Sequence, residues 1–192
     1  MSQQSATEAD LPPAVRRVSS SLRWWGNVGF WVQLVLGAVA AGLLAFGTFG
    51  LITRQETEYV RVENSALAFA TLGLAALGIS ILLAFRCRRL ARRLRTEPPA
   101  QRPSRANTLR TIRLGLLVSL VGIILTVIST ETFVGVLLTK ATNVPQTGVT
   151  VKEASQYVRA IDIVVVQSSL NILVAHVAGL ATSLWLLYRI TQ

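Results

Sequence analysis

The chain is short of the side chains on which metal and redox chemistry rely. In 192 residues it has one cysteine (Cys87), one histidine (His176) and one methionine (Met1). A lone cysteine excludes an intramolecular disulfide, and its place in an arginine cluster implies no redox role. Iron and copper pathways offer carboxylate, imidazole, thiol or thioether ligands. A metal cage within one protomer is therefore hard to build, and no cofactor is expected. Catalytic signatures are missing too: there is no P-loop, no Gly-x-Ser-x-Gly, no His-Glu-x-x-His and no Cys-x-x-Cys. The histidine and the cysteine lie on different segments. A lipid-acting enzyme would lack a visible nucleophile or acid–base pair, so the sequence points away from an enzyme.

Acids are scarce as well, 9 against 19 lysines and arginines, for a formal charge of +10 and a pI near 11.4. Such a balance fits nucleic acid in a soluble protein. Here the arginines cluster beside apolar runs, where topology signals and lipid-headgroup contacts sit, so nucleic acid is excluded as a partner. The N-terminus, Met1 to Asp10, carries two acids, Glu8 and Asp10. It resembles neither a secretory signal nor an acid-poor transit peptide. The expectation is a bacterial chain inserted through its own first span, or an organellar chain already trimmed.

What the chain has in abundance is apolar sequence in long blocks. Hydrophobic residues make up 52% and charged residues only 15%, with a mean hydropathy of +0.52. A hydrocarbon core about 30 Å thick needs about 20 apolar residues per helix. Four blocks qualify, roughly Val28–Ile52, Ser65–Phe85, Ile112–Leu138 and Ile161–Leu187. The predicted fold is all-α, an integral membrane bundle of four transmembrane helices spanning 23–190 behind a polar tail at 1–22. Pro12 to Leu22 is expected as a short helix on the membrane surface, and Lys152 to Arg159 as an interfacial helix.

The connection at 86–113 holds ten arginines. Its first part, Arg86-Cys-Arg-Arg-Leu-Ala-Arg-Arg-Leu-Arg95, can continue the second helix until Pro98, Pro99 and Pro103 break it. With Arg16, Arg17, Arg23 and Arg189, that side carries 14 basic residues; Arg54, Arg61, Lys140, Lys152 and Arg159 give 5 on the other. The positive-inside rule puts both termini and the Arg-rich loop (86–111) in the cytoplasm. Ten arginines exceed what topology needs. Arg86, Arg88, Arg89, Arg92, Arg93 and Arg95 are therefore expected to contact anionic lipid headgroups or an acidic partner.

Small residues recur in the first span at Gly37, Ala41 and Ala45, and in the second at Gly73, Ala75, Ala76, Gly78 and Ser80. Such faces let helix backbones approach, within a protomer or in a homo-oligomer or larger complex. Polar groups inside spans are costly and informative. Glu131, in the patch Ser129-Thr-Glu-Thr132, lines a path or is a helix-end carboxylate reaching water or pairing with Lys140 or Arg159. His176, on one face with Ser169 and Ser183, is a proton or metal relay or a helix-packing hydrogen bond. Gln167 and Asn171 share another face of that helix, and Gln33 lies in the first span; these amides line a path or bond across helices. Asp162 is explained by the helix N-terminus it occupies.

Two segments carry a family resemblance. One is Gly26-Asn-Val-Gly-Phe-Trp-Val-Gln-Leu-Val-Leu-Gly37. The other is Gln167-Ser-Ser-Leu-Asn-Ile-Leu-Val-Ala-His-Val-Ala-Gly-Leu-Ala-Thr-Ser-Leu-Trp-Leu-Leu-Tyr-Arg-Ile190. From about Arg23 to Ile190 the chain resembles the four-span family of cyanobacteria and chloroplasts. Its plant members are described both as a Tic-type import component of the chloroplast inner envelope and as an iron permease. The resemblance implies a cyanobacterial version in the plasma membrane or thylakoid, acting in transport of a metal ion such as iron or in protein translocation. The alternative is a structural or assembly subunit of a membrane complex, which the scarcity of metal ligands favours.

Overall fold

The computed structural model describes residues 13–52, 58–96, 105–142 and 160–191. They form four helices: α1 (Pro13–Ile52), α2 (Glu58–Thr96), α3 (Arg105–Thr142) and α4 (Ala160–Thr191). The expected interfacial helix at 152–159 and the chain-breaking prolines Pro98, Pro99 and Pro103 lie outside the described residues, as do residues 1–12 and the side chain of Arg95. α2 does carry the arginine run out of the apolar span as one helix, to Thr96. The N-terminal segment departs from the expectation of a separate surface helix. α1 is continuous from Pro13, a residue whose fixed φ and missing N–H suit a first helical turn.

Each helix holds a stretch long and apolar enough to cross a membrane: Trp24–Phe49, Arg61–Leu90, Ala106–Thr142 and Ala160–Arg189. Neighbours around the bundle run α1–α2–α3–α4–α1, with α2 and α4 the closer diagonal pair. This is an up-and-down arrangement in which every sequential pair is antiparallel.

The polarity of the bundle is inverted relative to a soluble one. Phe49 is 74% and Leu82 64% exposed, while Gln33, Glu63, Ser119, Thr126, Asp162 and His176 are buried. Large apolar side chains point outward and small or polar ones fill the interior. Lipid is the solvent that suits such an exterior, since it offers polar groups nothing.

The interior follows a 3.5-residue repeat. In α3 the buried positions are Thr108, Ile112, Gly115, Ser119, Gly122, Thr126, Ser129, Phe133, Val136 and Lys140, alternating steps of four and three. In α2 they include Glu63, Ala66, Ala70, Gly73, Leu77, Ser80 and Cys87, and in α1 Gly26, Gly29, Gln33, Gly37, Ala40, Leu44 and Gly47. That spacing keeps one seam facing the partner along a left-handed bundle. It also corrects the small-residue face expected in α1. Gly37 is buried, but Ala41 and Ala45 are exposed. A strict four-residue step rotates about 40° per step at 3.6 residues per turn and drifts off the seam.

The seam glycines are where helices touch. The position a Cβ would take on Gly122 is filled by the His176 imidazole, whereas a Cβ on Gly78 meets nothing within 4 Å. Gly122→Ala is therefore expected to lower the thermal midpoint in mild detergent, by about 1–3 kcal/mol of overpacking. Gly78→Ala is expected to leave it unchanged or raise it. Equal effects of the two changes would contradict this packing.

Candidate functional site

Polar groups occupy the bundle axis in layers. At the arginine end, Cys87, Ile112 and Leu186 pack together with Trp25, Leu109 and Leu187. Seven residues further in, about 10 Å at helical rise, Gln33 Nε2 donates to Ser80 Oγ at 2.9 Å, and Ser80 Oγ lies 3.2 Å from Ser119 Oγ. Gly179 on α4 packs directly against the Gln33 amide and Ser119. All four helices meet at this layer, and only glycine on α4 leaves room for the amide.

His176 lies about one turn further along α4, close to the middle of the span. It is fully buried. Its Nε2 donates to the Gly73 carbonyl at 3.1 Å, and its ring fills the space left by Gly122. Among the described residues, its Nδ1 is the buried side-chain nitrogen or oxygen with no hydrogen-bond partner. Beyond it, Ser168 donates to the Ala40 carbonyl at 2.8 Å and Ser129 to the Ala66 carbonyl at 2.7 Å. These hydroxyls tie α4 to α1 and α3 to α2.

The file is then interrupted. Leu44, Ala66, Leu67, Ala70, Phe133 and Val165 form an apolar cluster across the bundle, with Phe133 1% exposed at its heart. Past this seal, Lys140 pairs with Glu63 and, at 3.5 Å, with Asp162. All three are buried. Asp162 lies in the first turn of α4 and Lys140 in the last turn of α3, the ends at which the helix dipole favours their charges.

A narrow cleft of about 30 Å³ lies in the arginine-end half of the bundle, with room for a water or two. Its walls include Gly29, Cys87, Thr111, Gly115, Thr182 and Ser183, and Gln33 and Ser80 are at its inner limit. Arg88 caps the Phe30 ring at 4.6 Å and Arg89 the Phe85 ring at 5.3 Å. These contacts hold guanidinium groups at the level where the apolar exterior ends.

A family model described as "Protein of unknown function (DUF3611)" matches residues 12–191. The chain belongs to this family. It is also 33% identical over 192 residues to Protein TIC 21, chloroplastic, of Arabidopsis thaliana, covering 96% of this chain and 62% of that protein. The chain thus spans less than two thirds of the length of that curated relative. No solved structure matches. Family membership and four membrane-length apolar helices together make this a multi-pass integral membrane protein.

The structure separates the residues that sequence reasoning had grouped as path candidates. Gln33 and His176 are buried in the bundle, and Asn171 is half-buried. Glu131 and Gln167 are exposed on the outer surface. Both lie near the end opposite the arginines and apart from His176. Of the partners considered for Glu131, Lys140 is engaged by Glu63 and Asp162, and Arg159 lies outside the described residues. Ser169 and His176 do share the inward face, with Ser183 half-buried at the same register. Among the described residues, no group of three His, Cys, Asp or Glu side chains is placed to hold a metal ion.

Sequence reasoning missed the far-end ion network. Glu63 falls just outside the expected second span, Ser65–Phe85, and Asp162 is accounted for there by a helix N-terminus alone. The signal was the repeat itself. Asp162 is seven residues before Ser169 and fourteen before His176, Glu63 seven before Ala70, and Lys140 seven after Phe133. Each charge continues a seam.

Lys140→Met would leave two buried carboxylates without their shared cation. It is expected to destabilise the protein by about 3 kcal/mol, read from unfolding in detergent. Adding Glu63→Gln and Asp162→Asn should restore most of that loss. A single variant as stable as wild type would show that the network carries no stability.

Proposed function

We propose that this chain is a transport component of its membrane, and that the polar layer at Gln33, Ser80, Ser119 and His176 is the station where a small solute pauses. The carrying observation is the cleft beside this layer. It lies in the arginine-end half of the bundle and reaches Gln33 and Ser80, with the fully buried His176 beyond and an apolar seal after that. Intramembrane polar groups facing a bundle interior mark solute pathways, and transporter sites lie near the membrane midplane. A polar layer with a cavity on one side and an apolar seal on the other fits one state of an alternating-access cycle.

The resemblance drawn from the sequence names two activities, iron permeation and protein import, and the relative is by name a chloroplastic TIC protein. The size of the cleft supports a small solute. A polypeptide conduit would have to form between copies or with other subunits. The orientation we propose puts both chain ends and the arginine loop in the cytoplasm, in a cyanobacterial-type plasma membrane or thylakoid. Arg86, Arg88, Arg89, Arg92 and Arg93 would then lie at headgroup level, where each basic residue beside an anionic surface contributes about 1 kcal/mol.

A second reading, a structural or assembly subunit, has its own observation. Gly42, Gly78 and Gly135 face outward with nothing of the bundle near them. Their capacity for close approach is unused within the protomer. Native electrophoresis in mild detergent discriminates: a monomer with flux supports transport alone, and a stable complex without flux supports assembly.

The transport test is solute uptake by proteoliposomes, with labelled iron among the solutes offered. His176→Ala and Gln33→Ala are expected to cut the transported solute's rate at least tenfold while the protein still purifies folded. Glu131→Gln and Gln167→Ala, on the outer surface, are expected to stay within twofold. Uptake no faster than into empty vesicles for every solute would remove the permease reading. Orientation is read separately, in a Cys87→Ser background. An impermeant maleimide added to intact cells is expected to label Thr142→Cys and spare Thr191→Cys.

A further inference from the structure

We propose that the outer face shared by α1 and α2 at the arginine end is a binding site for one anionic phospholipid. Arg88 and Arg89 hold its phosphate, and an acyl chain lies in a shallow trench below them. This goes beyond a general attraction of basic residues for an anionic surface. It rests on those arginines standing at headgroup level, and not on solute transport.

The head of the site is a patch of rings and guanidinium groups that bridges the two helices. Phe30 of α1 lies 6.1 Å from Phe85 of α2 and 5.8 Å from Trp31. Arg88 caps the Phe30 ring and Arg89 the Phe85 ring. A ring beneath a guanidinium holds its plane and leaves the N–H edge to meet phosphate oxygens, which suit that planar fork. Among the described residues neither arginine has an acidic partner. Trp24 and Trp31 are exposed on the same helix as Phe30, and indoles favour the headgroup level.

The trench continues the same face into the membrane. In a bundle with a 3.5-residue repeat, positions seven apart share a face. From Trp31 that series runs to Ala38 and Ala45, and from Phe85 back to Gly78 and Thr71, all of them exposed. Gly37 packs on Leu77, which sets the next residues, Ala38 and Gly78, at one depth. A Cβ on Gly78 would meet nothing within 4 Å. The residue after each small one is large, apolar and exposed: Val39, Phe46, Leu72 and Ile79. These stand about 100° further around their helices and form the banks. α3 offers no such relief, since every exposed residue from Leu114 to Ile128 is Leu, Val or Ile.

Charge decides the occupant. A second copy in the same membrane shares this orientation, so its arginine end would meet this one. The outer faces of α3 and α4 carry Arg110, Arg113 and Arg189 at that level. The acids whose side chains are described, Glu63, Glu131 and Asp162, lie in the opposite half. A second copy would therefore set like charges opposite Arg88 and Arg89, which is costly. An anionic headgroup is complementary there, and its chain asks only for an apolar trench.

The test reconstitutes the full-length protein into nanodiscs of mixed phosphatidylcholine and phosphatidylglycerol, then releases it into mild detergent for native mass spectrometry. One phosphatidylglycerol per protomer is expected to stay bound after phosphatidylcholine is stripped. Arg88→Gln with Arg89→Gln should cut the bound fraction about fivefold. Arg110→Gln with Arg113→Gln makes the same change of charge on the outer face of α3 and should leave it within about twofold. Arg88→Lys with Arg89→Lys keeps the charge and loses the planar fork, and should still cut it about threefold. Gly78→Leu fills the trench without touching an arginine and should cut it about threefold in folded protein.

Equal retention of the two lipids would overturn the proposal. Equal losses from the two glutamine doubles would also overturn it, while leaving a general basic belt at headgroup level. A dimer that Gly78→Leu dissociates would overturn it in favour of a second copy on this face. Solute flux is read separately in proteoliposomes, and its absence would remove the transport reading and leave the lipid site.

Discussion

Everything in this fold depends on where a polar side chain can go when the surrounding solvent cannot hydrogen-bond. Gln33, His176 and the serines on the seams are buried away from the surface, and they face one another or a backbone carbonyl. Hydrophobic burial does not drive helices together in lipid, because the exterior is as apolar as any interior. What remains is close packing and the partnering of polar groups. Small residues supply the first. At Gly122 and Gly179 the absent Cβ is what admits the His176 ring and the Gln33 amide. Packing and polar partnering therefore act at the same positions.

The two ends of the bundle solve different problems. Towards the arginines, aromatic rings and guanidinium groups stack at the edge of the apolar exterior, and the interior holds a small cleft. At the other end a large phenylalanine closes the interior, and one lysine joins carboxylates from two helices. The ion network is not at mid-membrane. Glu63 and Asp162 lie only a few residues beyond the level of Leu67 and Val165, where water and headgroups reduce the cost of charge. The mid-membrane layer is neutral by contrast, built of amide, hydroxyl and imidazole.

Much of this was legible in the sequence, and the part that was not has a definite cause. Four blocks of apolar residues are enough to predict four spans, since a bilayer allows little else of that length. The seven-residue series Ser169, His176, Ser183 correctly marked the inward face of α4. Extending it one step back to Asp162 would have exposed the ion network. A fixed four-residue step in α1 instead pointed to Ala41 and Ala45, which face outward, because seams in a supercoiled bundle advance by alternating threes and fours. Glu131 stood out as the acid nearest a span centre, yet depth along a helix says nothing about which side the residue faces. Gln167 misleads in the same way: it is one residue before the buried Ser168 and still points out. The partners of Lys140 come from two other helices, and only the packing of three seams brings them together.

The layout also bears on how each helix is held. Lys140 ties α3 to α2 and α4 through charges removed from water, and His176 ties α4 to α2 across the diagonal. Breaking those contacts strands a buried charge or a buried carbonyl, each costly in a medium that offers no replacement partner. α1 is held differently. Its described side-chain hydrogen bonds to other helices are two, from Gln33 to Ser80 and from Ser168 to its Ala40 carbonyl, and the rest of its inward face is largely glycine and alanine. Side chains of the neighbouring helices fill the notches these glycines leave, Thr182 at Gly29, Leu77 at Gly37 and Val165 at Gly47, so α1 is held mainly by close packing. α1 also supplies Gln33 to the polar layer and Leu44 to the apolar seal. α1 thus links the polar layer to the seal by packing, while Lys140 and His176 join the other three helices through polar contacts.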